Sequence, residues 1–417
     1  MMTASTILVE RHMTNTTSIN FELPTTGTEE LARALGELRP LPSERVPFEQ
    51  SVGRILRDAV PADRALPACN RSRMDGYALR AADLVPGGSM PVCGEVRAGE
   101  DGAVEVPVGS CVKIATGAPL PVGLDTVIEH ERSDRGEPVT FDLDTVEPWR
   151  SVHREGVDTP AGAELIASGT RIRAHHVGLM ATVGCTTPVV ARLPKVGVFS
   201  SGDELVGVED VPLPHQVREG NAPMIAAMLA GLGTEIVLRG HAPDEREATR
   251  RVLEEGLERT DLLVTIGGIS AGDHDLVRPV LEELGVRWWV AGIPIRPGKP
   301  VHIGRTEDGT IVACLPGNPV SSLVTAHLFC RPIINAMTAR TDAPGWEPRQ
   351  LAEPVREAPR RTTYRPVRLL EDGRARIPAW QGSGDLAHLA HCTGMVELPA
   401  GRTVDTGTVR HLDWRTP

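Results

Sequence analysis

The sequence has few aromatic residues, no long hydrophobic run and no excess of positive charge. Aromatic residues make up 3% of the 417 positions, and two of them are tyrosines. A membrane-spanning helix needs a run of about 18 apolar residues, and none approaches that length, so we expect no membrane protein. The net charge of -11 argues against non-specific nucleic-acid binding as the main function. Any anion site must therefore be a local basic cluster in an acidic protein.

Paired cysteines and zinc-ligand spacings are also missing. The seven cysteines are scattered and form no C-x-x-C pair, which is typical of reduced, buried thiols. The close histidine pairs, His175-His176 and His388-x-x-His391, have no cysteine or acid at zinc spacing, so we expect surface or capping histidines. Residues 1–20 are polar and lack an apolar signal core. We interpret them as a flexible extension and predict a cytoplasmic protein.

The composition indicates a folded, multidomain chain. Hydrophobic residues make up 41% and charged residues 24%, and the length suits about three domains. Leu31, Leu35 and Leu38 form one apolar stripe, so a helix is predicted there with Thr28 as its cap. A second short helix is predicted over 49–57. From 59 to about 147, short strands broken by proline and glycine indicate a β-rich region.

From residue 195 onward, strands alternate with helices. This alternation predicts a parallel sheet covered on both faces, with ligands bound at the loops that leave the carboxyl ends of the strands. The predicted strands are 196–200, 235–238, 262–266, 287–290 and 311–315. The predicted helices are 222–232, 245–259, 275–284 and one that begins at 320. After a linker-like run at 343–348, about seventy residues with short strands indicate a small β domain.

Two glycine- and serine-containing loops follow predicted strands of this α/β block. One is Ser200 to Leu205 and the other runs from Gly267 to Asp275. Glycines let a ligand approach the backbone, while Glu204 and Asp275 are acids in these same loops. The pattern suits a polyphosphate with a divalent cation. A helix cap at Asp275 and a solvated Glu204 would explain each acid alone, but Asp244, which precedes another helix, favours the metal.

Two further loops carry cations and a helix start. Arg296-Pro297-Gly298-Lys299-Pro300 places two positive charges on a stiff loop. The run 316–322, Pro-Gly-Asn-Pro-Val-Ser-Ser, opens an apolar helix, whose free N–H groups suit an oxyanion. An ordinary turn would explain each loop if it stood alone. The neighbouring cations favour an anion site.

The β-rich region contains a polar stretch at 70–80, with Asp75-Gly76-Tyr77 at its centre, and a second polar loop around Thr116. The residues alone allow a pair of loops lining a cleft, or solvated turns.

Six motifs, in this order, resemble the molybdopterin molybdenumtransferase family, which is related to the gephyrin E domain. The resemblance covers the chain from about residue 23 to its end. The motifs are 74–78 (MDGYA), 116–118 (TGA), 201–205 (SGDEL), 267–270 (GGIS), 297–300 (PGKP) and 315–321 (LPGNPVS).

The resemblance implies an α/β fold combined with β-rich domains in a multidomain chain. The α/β domain would have a parallel sheet and be similar to molybdopterin adenylyltransferase. A β-rich domain would be inserted into a discontinuous first domain, and a small β domain would end the chain. The implied division is 23–60 with 156–193, then 61–155, 194–342 and 343–417.

The resemblance further implies insertion of molybdate into adenylated molybdopterin, with hydrolysis of the adenylate and release of AMP. Mg²⁺ or another divalent cation would assist, the chain would form a homodimer, and contact with molybdopterin adenylyltransferase is expected. Asp75, Thr116, Glu204 and Asp275 would be catalytic, the first two from the partner subunit. Glu204, Asp244 and Asp275 would bind the metal. The substrate-binding residues would be Ser201, Gly202, Gly267, Gly268, Ser270, Arg296, Lys299, Pro300, Pro316, Gly317, Asn318, Ser321, Arg361 and Ser383.

Some positions depart from the family pattern. Arg296 stands where the family commonly has Lys, Arg73 where Ala is usual, and Pro366 where Arg is frequent, and the basic run before Gly156 is reduced to His153-Arg154-Glu155. These departures bear on whether the protein prefers molybdate or tungstate.

Two alternative functions remain. One is a related protein that binds molybdopterin or molybdate without turnover or acts as a scaffold, and the other is a nucleotide hydrolase that shares only the α/β domain. The latter would leave the flanking β domains unexplained.

Overall fold

The computed structural model describes residues 6–12, 18–24, 27–269, 276–405 and 407–415. The chain divides into two compact units. The α/β unit comprises 1–58, 168–173 and 188–417, and the β-rich unit comprises 59–167 and 174–187. The predicted fold class, an α/β fold combined with β-rich regions, is confirmed. The division into four domains stays a prediction.

The α/β unit is built on a six-stranded sheet. Its strands are β1 (Lys195–Ser201), β2 (Glu235–Ala242), β3 (Leu262–Ile266), β4 (Arg287–Ala291), β5 (His302–Arg305) and β6 (Ile311–Leu315). Their order is β2-β1-β3-β6-β5-β4. The central strands β3 and β6 are buried along their whole length, as expected for strands covered on both faces.

The expectation of a purely parallel sheet needs one correction. β5 runs antiparallel to both β6 and β4, whereas β2, β1, β3 and β6 pair in parallel. The connections on either side of β5, residues 292–301 and 306–310, contain no helix. Connections this short do not return the chain to the start of the sheet for parallel pairing.

Helices cover this sheet close to the predicted positions. They are Asn221–Gly231, Arg246–Arg259, Val277–Glu283, Pro319–Thr325 and Arg331–Thr338. The helix Arg246–Arg259 starts where predicted because the Glu245 carboxylate accepts hydrogen bonds from the backbone N–H groups of Glu247 and Ala248, at 3.0 and 2.8 Å. The last two helices are joined by a π-helical turn, Ala326–Cys330.

The C-terminal part of the α/β unit contains a second sheet. Its main path runs in the order Ile295–Arg296, Thr362–Leu369, Gly394–Leu398, Thr408–Asp413 and Glu347–Gln350, and Ala375–Arg376 pairs beside Thr362–Leu369. The predicted C-terminal strands are therefore confirmed. The pairing of Ile295–Arg296 with Thr362–Thr363 joins the cation loop to this sheet, which was not predicted.

Before the six-stranded sheet, two predictions near the N-terminus fail. Thr6–His12 and Ser18–Pro24 form an antiparallel hairpin, so the flexible extension is wrong for those residues. The helix Glu29–Glu37 forms, but the Thr28 hydroxyl donates to the Pro24 carbonyl instead of accepting from the helix.

The helix predicted at 49–57 is reduced to the 3₁₀ turn Phe48–Gln50. The backbone N–H groups of Leu56 and Arg57 donate instead to the carbonyls of Thr170 and Val189, at 2.9 and 2.8 Å. These long-range pairs replace the helical bonds. Nearby, Ser43–Arg45 pairs with Val189–Ala191.

The β-rich unit contains a four-stranded sheet and several short pairs. The sheet order is Thr126–Glu129, Gly76–Leu79, Cys111–Ile114 and Val92–Val96. The short pairs are Val60–Pro61 with Glu164–Ile166, Arg71–Ser72 with Val152–His153, and Ser89–Met90 with Val139–Thr140. The helix Ala174–Thr182 was not predicted, since its region was interpreted as turns and strands.

The seven cysteines are all free thiols. The predicted burial holds for three of them, Cys111, Cys314 and Cys330, whereas Cys93 is exposed. Burial raises the pKa of Cys111, Cys314 and Cys330 to about 12. Within the described residues, no helix is both long and apolar enough to span a bilayer.

The π-helical turn places a histidine in the interior of the α/β unit. His327 is buried and stacks on the Trp414 ring, with 5.1 Å between ring centroids. Among the described residues its Nδ1 has no hydrogen-bond partner. Burial, and then the positive charge of Arg331, lower the pKa of His327 to about 3. The ring is therefore neutral in the folded protein at ordinary pH.

This histidine predicts acid sensitivity. Between pH 6.5 and pH 3, the unfolded chain protonates His327 while the folded chain does not, so the free energy of unfolding falls as the pH falls. The loss attributable to this group is up to about 1.4 kcal/mol per pH unit. We expect His327→Gln to flatten the pH dependence of stability, measured by urea unfolding from about pH 7 to about pH 4.5. His391→Gln, at an exposed position, is the control. Equal slopes for both variants would contradict the assignment.

Candidate functional site

The carboxyl ends of β1, β3 and β6 open onto a cleft of about 470 Å³ within the α/β unit. This is the edge of a parallel sheet at which ligands bind. The cleft brings together residues from the predicted loops, including Ile269, which was not among the predicted site residues. Its lining consists of Ser201, Gly202, Glu204, Asp244, Gly267, Gly268, Ile269, Pro300, Pro316, Gly317 and Asn318.

The loop after β1 is tied to the loop after β2 by hydrogen bonds. The Ser201 hydroxyl donates to Asp244 Oδ1 at 2.8 Å, and the Asp203 N–H donates to Asp244 Oδ2 at 3.2 Å. In return, the Asp244 N–H donates to Asp203 Oδ1 at 3.4 Å. Asp244 is thereby fixed at the cleft wall, and its carboxylate retains further lone pairs for a ligand.

Glu204 is the second acid of the cleft. Its carbonyl accepts the Val217 N–H at 2.9 Å, which holds the backbone in the short parallel pair Leu205–Val206 with Val217–Arg218. Its side chain is exposed, and no described residue pairs with its carboxylate. Two carboxylates, one fixed and one free, thus share the cleft with no described cation bonded to either.

The loop after β3 approaches the loop after β1 closely. Gly267 has φ +88°, and a Cβ at this position would lie 2.7 Å from the Ser201 carbonyl oxygen. Only glycine fits this contact. The Gly267 N–H donates to the Leu315 carbonyl at 3.0 Å, which aligns the loops of β3 and β6. Ser270 and Asp275, predicted further along this loop, lie outside the described residues.

The Pro-Gly-Asn-Pro loop after β6 is held from two sides. The Asn221 Nδ2 donates to the Gly317 carbonyl at 2.6 Å, and the Asn318 Nδ2 donates to the Ser383 hydroxyl at 3.1 Å. The Val320 N–H donates to the Ser383 carbonyl at 3.1 Å. Ser383 is therefore placed at the Asn318 end of the cleft. Ser321 lies nearby in the helix but is buried.

The predicted cations lie beyond the cleft lining. Arg296 is exposed and lies on the strand that pairs with Thr362–Thr363. Lys299 follows on the same loop, and its carbonyl accepts the Ile293 N–H at 3.0 Å. Arg361 directly precedes Thr362 and is exposed. Arg296 and Arg361 thus lie at the paired strands of the C-terminal sheet, and Lys299 directly precedes Pro300 of the cleft lining.

In the β-rich unit, Asp75 and Thr116 form a local constellation. Asp75 Oδ1 accepts both the Thr116 N–H, at 2.7 Å, and the Thr116 hydroxyl, at 2.9 Å. The backbone bond first and the hydroxyl second lower the pKa of Asp75 below its usual value. Asp75 is therefore a fixed, exposed carboxylate. Of the two alternatives left open by the sequence, the contact between Asp75 and Thr116 favours a pair of adjoining loops.

Three comparisons with known proteins agree. Residues 25–184 match the family model "MoeA N-terminal region (domain I and II)", and residues 197–336 match "Probable molybdopterin binding domain". The molybdopterin molybdenumtransferase of Synechococcus elongatus is 33% identical over 374 residues, covering 87% of this chain and 92% of that protein. The chain belongs to the molybdopterin molybdenumtransferase family. The resemblance stated from the six motifs is confirmed.

Further relatives extend over both units. The molybdopterin molybdenumtransferase of Haemophilus influenzae is 33% identical over 297 residues, covering 71% of this chain and 73% of that protein. The crystal structure of the molybdopterin biosynthesis MoeA protein from Pyrococcus horikoshii has a TM-score of 0.77 and 31% identity, and the match covers 92% of this chain and 97% of that one. The molybdopterin molybdenumtransferase family therefore accounts for the multidomain α/β and β-rich fold.

Sequence reasoning missed Asn221, which shapes the site of this family member. Asn221 begins the helix Asn221–Gly231 and holds the Gly317 carbonyl. The available signal was an asparagine at a predicted helix start after a strand, which is ordinarily explained as a cap. Its function in holding a loop remote in sequence depends on the tertiary fold.

Proposed function

We propose that the chain inserts molybdate into adenylated molybdopterin, with hydrolysis of the adenylate and release of AMP. The observation that carries this proposal is the cleft in which Glu204 and Asp244 share the lining with the Gly267-Gly268 backbone. Carboxylates for a metal and close backbone for a pyrophosphate lie at one sheet edge. Family membership supplies the identity of the substrate.

A divalent cation, Mg²⁺ in our proposal, fits the residues present. Within the described part of the chain, no group of three or more His, Cys, Asp or Glu side chains is arranged to hold a metal. Mg²⁺ does not require such a group, because it is commonly bound by one or two carboxylates, waters and substrate phosphates. Glu204 and Asp244 supply the carboxylates, and we propose Asp275 as a third ligand. When bound, the cation would neutralise charge developing on the phosphoanhydride.

The protein groups have separate proposed functions. Ser201 holds Asp244 through its 2.8 Å hydrogen bond, while the glycines at 202, 267 and 268 let the pyrophosphate lie against the backbone. Ser270, Pro300, Pro316, Gly317 and Asn318 would complete the substrate-binding surface. Molybdate, a dianionic substrate, would be bound by cations and hydroxyl donors. Those groups are Arg296, Lys299, Ser321, Arg361 and Ser383.

We assign catalytic roles also to Asp75 and Thr116, supplied by the partner subunit of a homodimer. What supports this assignment is the fixed, exposed carboxylate that their hydrogen bonds produce. We further propose a cytoplasmic location and delivery of the substrate by contact with molybdopterin adenylyltransferase. An adenylated intermediate has to pass between two enzymes, and direct contact would protect it from hydrolysis.

The test is to mix the purified protein with adenylated molybdopterin, Mg²⁺ and molybdate, and to follow AMP by chromatography. We expect AMP release that depends on molybdate. Tight binding of the adenylated substrate without AMP release would instead favour the non-catalytic binding protein. AMP release at an equal rate without molybdate would favour a simple nucleotide hydrolase.

A further inference from the structure

Four cations lie near the C-terminal sheet. Arg296, Lys299, Arg361 and Arg365 form no ion pair with any described residue, although many other arginines of the chain pair with a carboxylate. The chain as a whole is acidic, with a net charge of -11. Unpaired cations concentrated in an acidic protein indicate a site for an anion. Three of the four were predicted from the sequence, and Arg365 was not.

The strand register places Arg365 beside Arg296. Arg296 is paired with Thr363 across the two parallel strands, and Arg365 lies two residues further along the second strand. Because side chains alternate between the faces of a sheet, Thr363 and Arg365 share the face on which Arg296 lies. Burial first, and repulsion from Arg296 second, lower the pKa of Arg365 to about 10. The two guanidinium groups therefore repel each other when no anion is bound.

The guanidinium of Arg365 is held in place by one segment of the chain. It lies over the Trp380 ring, with Cζ 4.3 Å from the ring centroid, and its Nη2 donates to the Pro378 carbonyl at 3.4 Å. The same segment continues to Ser383, which accepts from Asn318 at the end of the cleft. Stacking on an aromatic ring orients a planar guanidinium and leaves its edge for hydrogen bonds.

We propose that Arg365 binds the oxyanion together with Arg296, and that stacking on Trp380 positions it to do so. The inference rests on the proposed function for the identity of the oxyanion, molybdate. A dianion between the two guanidinium groups would replace their repulsion by charge-assisted hydrogen bonds. Arg365 is thus a determinant of oxyanion affinity, and Trp380 is a positioning residue.

The experiment is titration calorimetry of the full-length protein with sodium molybdate. Arg365→Gln is expected to weaken molybdate binding by about 10- to 100-fold, which is the effect of losing a hydrogen bond to a charged group. Arg365→Lys keeps the charge but not the planar stacking, so it should lose less molybdate affinity than Arg365→Gln does. Trp380→Leu, which leaves the cation but removes its support, should lie between wild type and Arg365→Gln. Arg368→Gln, at an exposed position on the same strand, is the matched control and should bind as wild type does.

Three results would overturn the assignment of Arg365 to the oxyanion site. The first is an Arg365→Gln protein with a lower melting temperature but an unchanged molybdate dissociation constant, as expected if Arg365 only packs against Trp380. The second is a wild-type protein that binds no molybdate, and the third is equal binding by Arg365→Gln and Arg368→Gln. A wild-type protein that binds molybdate but releases no AMP would contradict the proposed reaction. The ratio of the molybdate dissociation constants of the variants would still test the oxyanion site.

Discussion

Replacing Glu204 by glutamine is expected to reduce molybdate-dependent AMP release by about 10²- to 10³-fold, the cost typical of removing one group that stabilises a charged transition state. The side chain is exposed, and its carboxylate has no partner among the described residues. The substitution therefore breaks no contact of the fold. It removes the negative charge that would attract a divalent cation and leaves a neutral amide, which is a weaker ligand.

The measurement is the initial rate of AMP formation at saturating substrate, repeated over a range of Mg²⁺ concentrations. Glu209→Gln is a matched control, because Glu209 is an exposed glutamate further along the same connection. We expect the control to behave as wild type. Partial recovery of Glu204→Gln at high Mg²⁺ would support a metal-binding function, whereas full activity at low Mg²⁺ would remove Glu204 from the site.

Asp75→Asn should strongly reduce insertion while the β-rich unit stays folded. The amide oxygen of asparagine can still accept the Thr116 N–H and hydroxyl, which Asp75 Oδ1 accepts at 2.7 and 2.9 Å. The loop geometry is therefore kept and the charge is lost. We expect a loss of AMP release of about 10²-fold or more, with unchanged thermal unfolding. Because its pKa is lowered, Asp75 stays ionised below the ordinary titration range of a carboxyl, so its charge is present throughout the neutral range.

Asp144→Asn is the control for this prediction, since Asp144 is an exposed acid of the same unit. Thr116→Val gives a second comparison, because it removes the hydroxyl but keeps the backbone bond to Asp75. The rate of AMP release should fall less in Thr116→Val than in Asp75→Asn. An Asp75→Asn protein with wild-type turnover would show that the carboxylate is structural, and an unfolded one would show that its charge is required for the turn.

Local patterns predicted the α/β unit well because its central strands are unbroken apolar runs that turn residues separate from the helices. β3 and β6 have the predicted ends. The failures occur where distant partners decide the structure. The 49–57 segment forms backbone bonds to Thr170 and Val189, and the direction of β5 depends on its neighbours in the sheet. Sequence periodicity contains no information about either kind of partner.

The candidate site divides in the same way. Residues in loops after strands, such as Ser201, Glu204 and Gly267, converge because parallel strands place their carboxyl ends at one edge. Residues whose placement depends on pairing between remote segments could not be found. Arg365 is the example: its proximity to Arg296 follows from the register of two strands that are far apart in the chain.

The two-residue strand Ile295–Arg296 has a consequence for shortened forms of the protein. A chain ending near residue 342 would retain the six-stranded sheet and its cleft, but would lose Thr362–Leu369, the strand on which Ile295–Arg296 pairs. The backbone N–H and C=O groups of Ile295–Arg296 would then form an open strand edge, and such edges pair with strands of other molecules. The truncated protein should therefore aggregate and bind the oxyanion more weakly. A fusion or split version of this protein should be divided at another position in the chain.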